Sequence, residues 1–156
     1  DFQMYDKEGA ADYPDYRKLS ADLLFKWNGF SLLAEYVNAT ANGLNGLYVE
    51  KDEGAKLKPR QIANYLALGN GLNVQAGYLF RKLWALDVAY SKVNPEWKET
   101  GQSVLREADN ITFGASKYFN NNTFKLQLAG SYTSYNQLVG AGSKEFQVKL
   151  NLHILF

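Results

Sequence analysis

The chain has 156 residues, a net charge of +1, no Cys and a mean hydropathy of −0.36. This length suits one domain (1–156), the balanced charge gives no reason to expect nucleic-acid binding, and the lack of Cys argues against disulfide stapling or thiol chemistry. No run approaches the roughly 18 apolar residues of a membrane-spanning helix, and Asp1–Asp6 has neither the basic region nor the apolar core of a signal peptide.

Residues 1–15 are acidic and contain Gly9 and Pro14, so they predict a loop, with Phe2, Met4 and Tyr5 as candidate last residues of an earlier strand. From about Tyr16 to Trp27 the pattern alternates: Leu19, Ala21, Leu23, Phe25 and Trp27 oppose Ser20, Asp22, Leu24 and Lys26. Side chains of a strand point alternately to its two faces, so this is a two-faced strand. Asn28-Gly29 follows and predicts a type I′ hairpin turn. The return strand, about Phe30 to Asn38, sets Phe30, Leu32, Ala34 and Tyr36 against Ser31, Leu33, Glu35 and Val37.

Residues 39–60 are polar and rich in turn residues, a length that points to a functional loop. Residues 62–68 fit either a strand extension or loop structure. Alternation resumes from about Leu72 to Phe80, turns at Arg81-Lys82 and returns from Leu83 to Val93, with Asn73, Gln75 and Asp87 on its polar face. A second long loop spans about Asn94 to Asp109. Then Ile111, Phe113, Ala115 and Phe119 alternate with Thr112, Gly114, Ser116 and Tyr118. Asn120-Asn121-Asn122 makes a short turn, and Phe124 to Thr133 returns with Lys125 and Gln127 on the polar side. The last strand, Lys144 to Phe156, sets Phe146, Val148, Leu150, Leu152, Ile154 and Phe156 against Gln147, Lys149, Asn151 and His153.

About seven strands of roughly nine to twelve residues are therefore predicted, close to the length that crosses a bilayer at a tilt. Short connections alternate with longer ones, the pattern of an antiparallel up-and-down transmembrane β-barrel. The polar faces are mostly Ser, Thr, Asn, Gln, Gly and Ala, as a water-filled lumen requires, whereas a soluble lipocalin-like barrel would carry many outward charges. By strand parity the lumen-lining candidates are Asp22, Lys26, Glu35, Asn73, Gln75, Asp87, Lys125, Gln127, Lys149, Asn151 and His153. Lys117 is the exception on the apolar face, beside the Asn120 turn where a long side chain reaches the interface. Eleven Tyr among 15% aromatic residues fit the same boundary, although a β-sandwich core is also aromatic-rich.

No catalytic or metal-binding pattern emerges. His153 is the single His, no Ser sits in a nucleophile motif, and the adjacent Asp52-Glu53 fits a solvated loop better than a calcium site. Gly69-Asn70-Gly71 and Gly140-Ala141-Gly142 lack the Lys-Ser/Thr of a phosphate-cradling loop and read as turns. The expectation is a non-enzymatic protein without cofactors.

Several runs resemble the strands of the phosphate-selective porin O/P-type family. They are Gly71-Leu72-Asn73-Val74-Gln75-Ala76-Gly77-Tyr78, Trp84 to Pro95, Ile111 to Phe119, Phe124 to Leu128, and the end from Val148 to Phe156. The match covers roughly the last half of the chain, and Tyr16 to Tyr36 loosely. The resemblance implies a barrel of about sixteen strands in the outer membrane of a Gram-negative bacterium, commonly trimeric, passing small anions. It makes Val148, Leu150, Leu152, Ile154 and Phe156 the signal read by the barrel-assembly machinery. The bilayer, lipopolysaccharide and a homotrimer or larger outer-membrane complex are the implied partners. With seven strands visible, the chain is expected to be the C-terminal portion of a longer porin, a complete eight-stranded barrel being the alternative. The candidate lumen charges balance, Lys26, Lys125 and Lys149 against Asp22, Glu35 and Asp87, with Arg60, Arg81 and Arg106 in loops or turns. These residues do not support phosphate selectivity. The expected function is passive diffusion of small solutes, with a plugged structural or partner-binding barrel as the alternative.

Overall fold

The structure is a computed structural model that describes residues 4–44, 57–81, 83–98, 105–119, 124–136 and 143–154. Lys82, Asp52-Glu53, the Asn120–Asn122 turn, Gly140–Gly142, Phe2 and the terminal Phe156 lie outside the described residues. The chain runs β1 (Met4–Tyr5), β2 (Ala11–Asp12), β3 (Asp15–Trp27), β4 (Phe30–Asn42), α1 (Pro59–Ala63), β5 (Gly69–Phe80), β6 (Trp84–Pro95), β7 (Ala108–Phe119), β8 (Phe124–Tyr135) and β9 (Lys144–Ile154). It is an all-β protein, with one short helix among the described residues. Strands β3 to β9 form a single antiparallel sheet in which each strand pairs with its neighbours in sequence.

Meander order follows from the turns. Asn28 and Gly29 both hold positive φ, 45° and 86°, the backbone that a type I′ turn demands. Trp27 therefore pairs with Phe30, and the two alternations are locked in phase from the first hairpin onward. The second hairpin uses three residues rather than the expected two. Phe80 pairs with Trp84, and Leu83, expected in the strand, instead donates its N–H to the Phe80 carbonyl at 2.9 Å.

Several boundaries differ from the sequence expectations. Met4 and Tyr5 do not belong to an earlier strand of the sheet; they pair with Ala11 and Asp12 in a separate two-stranded hairpin. Residues 39–42, 69–71 and 94–95, expected in loops or turns, extend β4, β5 and β6, because their backbones find partners across Ala39↔Gly69 and Gly69↔Pro95. Arg60 lies in α1, where Pro59 opens the helix and the Gln61 side chain accepts the Lys58 N–H at 2.9 Å. Residues 62–68 finish that helix and a following turn, and form no strand before Leu68.

The sheet has almost no core. Its central strands leave large apolar side chains uncovered: Leu86 on β6 is 52% exposed and Phe113 on β7 is 60% exposed. Both edge strands, β3 and β9, are exposed along their whole length. The cluster of buried apolar side chains sits instead at the long-connection end, where Leu57 and Ile62 pack with Met4, Leu44, Leu66 and Trp97. Among the described residues β3 and β9 do not pair with each other, so the sheet is open and no closed barrel is present.

The register also sets a slope. Trp27, Phe30, Tyr78, Leu86, Ala115, Leu128 and Leu150 form one row of direct backbone partners. The first hairpin turns at this row. The second turns two residues beyond it, after Phe80 and Trp84, and the third two residues beyond that, after Phe119 and Phe124. Two residues per hairpin is about 6.8 Å along the strands for about 9.6 Å sideways, so the strands lean about 35° from the perpendicular to the line of turns.

Candidate functional site

The continuous register sorts every strand residue to one of two faces. One carries Leu23, Phe25, Tyr78, Leu86, Val88, Phe113, Leu126, Leu128, Leu150 and Leu152; the other carries all eleven lumen candidates inferred from the sequence. Pairing brings several of the candidates together. Asp22 stands opposite Glu35, and Glu35 opposite Asn73, whose amide donates to Glu35 Oε2 at 2.7 Å. Lys125 stands opposite His153, and Gln127 opposite Asn151. Lys26, Gln75 and Lys149 share the face without touching another candidate through any described hydrogen bond or ion pair.

Asp87 occupies the middle of this face, flanked by partners Gly77 and Gly114. The pattern is steric. A side chain at Gly77 would collide with the Asp87 carboxylate and approach Ser31 Oγ to 3.1 Å. The glycines therefore let a charged side chain lie along the sheet. Beside it, Gln75, Gly77, Asp87, Ala89, Thr112 and Gly114 line a hollow of about 190 Å³.

The same face holds groups that strand parity alone does not single out. Asn110 donates to Thr133 Oγ1 at 2.7 Å, and Thr112 donates to Asn110 Oδ1 at 3.0 Å, forming a small network next to Ser91. Ser116, only 1% exposed, lies between its partners Ala85 and Gln127. Lys125 rests 5.4 Å from the Tyr118 ring centroid. Lys18 and Glu145 also carry this parity, so the described face bears four Lys (18, 26, 125, 149) and four carboxylates (Asp22, Glu35, Asp87, Glu145). Carrying the alternation one step past Phe146 would have found Glu145; the Asn110 network needed the register. At the long-connection end Ala41, on this same face, joins Leu57, Pro59, Ile62 and Trp97 around a cavity of about 330 Å³.

No protein-family model, no curated protein and no solved structure matches the chain. The reading of the two faces therefore rests on their own chemistry.

The opposite face is apolar between two polar margins. Toward the long connections its apolar rows end in Tyr36, Tyr90 and Tyr132. Just beyond, the Tyr90 hydroxyl donates to Asp109 Oδ1 at 2.6 Å and Lys92 pairs with the same oxygen at 3.3 Å. Lys117 is thus not the single charged residue of this face: Lys92, already within the expected strand, has the same parity, and the earlier start of β7 adds Asp109. Toward the short turns the rows end in Trp27, Phe30, Tyr78, Phe80, Trp84, Phe119 and Phe124. Tyr78 packs edge-on to Phe80 at 4.6 Å, and Phe119 tilts against Phe124 at 5.1 Å. No helix among the described residues is long and apolar enough to cross a membrane.

Proposed function

We propose that these seven strands are part of a transmembrane β-barrel of a bacterial outer membrane, whose polar face lines a water-filled pore for passive diffusion of small polar or ionic solutes. One observation carries the reading: a sheet with no second layer among the described residues exposes a continuous apolar face across all seven strands. Sheets in soluble domains bury their apolar face against another layer, and large exposed patches mark interaction surfaces. Lipid covers such a face without a protein partner.

Three geometric features support the choice of lipid. The apolar stretch from Phe124 to Tyr132 runs eight residue steps, about 27 Å along the strand or about 22 Å in height at a 35° lean, near the roughly 25 Å band of membrane barrels. Rows of Tyr, Trp and Phe at its two ends match the water–lipid boundaries. The lean itself falls at the margin of the roughly 35–45° tilt such barrels adopt.

Direction constrains closure. With seven antiparallel strands, β3 and β9 run the same way. They cannot close on each other in antiparallel fashion, and open edges are not tolerated in hydrocarbon. An odd number of further antiparallel strands completes the barrel, which fits membership of a larger porin and, with one strand, an eight-stranded barrel. The resemblance to phosphate-selective O/P-type porins favours the larger, with the assembly machinery reading the last strand and with trimer formation as family expectations. The balanced charges of the polar face argue for weak ion selectivity rather than a phosphate filter.

A second reading has its own observation. Within the β3–β5 part of the polar face Leu24 stands directly opposite Leu33, an apolar pair between Lys26 and the Asp22–Glu35 row. A plug or partner seated there would make the barrel structural. Planar-bilayer recording of the intact protein separates the two. Stepwise, ohmic conductance with reversal potentials near zero in a salt gradient is the expected result; an inserted but non-conducting protein supports the plugged barrel.

A further inference from the structure

Lys117 is a cation in the apolar band, and its surroundings are built rather than incidental. Its row on the outward face reads Phe80, Trp84, Lys117, Leu126, Leu152, and Phe119 lies two residues along the same strand. The ammonium sits 4.4 Å from the centroid of the Trp84 ring and 5.7 Å from that of Phe119. Two aromatic faces thus hold it at the short-turn margin. An ammonium carries three N–H donors and no acceptor. Among the described residues neither ion pair involves Lys117, and Asp109, the carboxylate that shares its face on β7, lies eight residues away, about 27 Å along the strand. The margin has the same sign elsewhere: the three short connections contain Arg81 and Lys82 and no Asp or Glu, whereas in the long connections Glu50, Asp52, Glu53, Glu96, Glu99 and Glu107 are balanced by Lys51, Lys56, Lys58, Arg60, Lys98 and Arg106.

We propose that Lys117 and Trp84 form a binding site for the phosphate of an anionic phospholipid in the leaflet at the short-turn end. This rests on the membrane reading above. The phosphate oxygens supply acceptors that the sheet does not, at the depth where a headgroup meets the aromatic row, and the indole face carries the acyl-chain side of the same lipid. Lys92 is the internal contrast, because Asp109 already neutralises it at the other margin.

Trp84 is the reporter. In the intact protein inserted in phosphatidylcholine vesicles, quenching of Trp fluorescence by brominated phosphatidylglycerol is compared with quenching by brominated phosphatidylcholine. The component lost in Trp84→Phe is assigned to this site. The expected result is about five-fold tighter binding of phosphatidylglycerol there, abolished in Lys117→Gln, retained in Lys117→Arg and unchanged in Lys92→Gln. Equal quenching by the two lipids, or a preference that survives Lys117→Gln, overturns the site. If neither lipid quenches Trp84, the membrane placement of this face fails, and the site with it.

Discussion

Replacing Leu150 by Arg is expected to cost about 2–4 kcal/mol of stability in a bilayer, while the same change at the adjacent Asn151 costs far less. Leu150 is 69% exposed on the apolar face, in the row of Leu86, Ala115 and Leu128 near the middle of that face. A guanidinium there must shed water or drag it into hydrocarbon. Asn151 points to the face of Gln127, where an added charge meets other polar groups. In water the ordering would reverse: Leu150→Arg would remove exposed apolar surface and be neutral or favourable. The urea dependence of folding into vesicles distinguishes these outcomes, and equal tolerance at the two positions would remove the parity assignment.

Gly69→Val is expected to destabilise by about 2–5 kcal/mol, combining backbone strain with overpacking. Gly69 holds φ at +129°, a conformation that L side chains rarely adopt, at the start of β5 opposite Pro95. A Cβ there would strike the Asn94 carbonyl and stand 2.8 Å from Pro95 Cα. Backbone, not a flexible side chain, blocks it, so β5 and β6 would have to part. Gly130→Ala is the control: nothing lies within 4 Å of where its methyl would stand, and a change within about 0.5 kcal/mol is expected. Matched unfolding curves for the two variants check both.

The faces of the sheet were legible because period-two alternation survives in every long strand. Asn28-Gly29 announced its turn, since positive φ at both positions is written in those two residue types. The strand ends were not legible. Gly69, Asn70, Asn94 and Asn110 are polar or featureless, and they join the sheet through backbone partners that only the register reveals. The Tyr90–Asp109–Lys92 contact shows the same limit: Tyr90 and Lys92 lie in an expected strand, but Asp109 reads as loop, and β6 must lie beside β7 before they meet. Strand parity sets Asp87 on the face of Gln75, but the glycines that accommodate it come from two other strands. The α1 segment, five residues opened by Pro59, is too short to show helical periodicity.

The most direct test of the two-faced membrane sheet is a nitroxide scan along β8, made simple by the absence of native Cys. Single cysteines from 125 to 132 are labelled in the protein inserted in vesicles, and collision with oxygen is compared with collision with a water-soluble nickel chelate. Period-two alternation is expected, with Leu126, Leu128, Gly130 and Tyr132 favouring oxygen and Lys125, Gln127, Ala129 and Ser131 favouring nickel. Nickel access at Leu126 and Leu128 equal to that at Gln127 and Ala129 would contradict it.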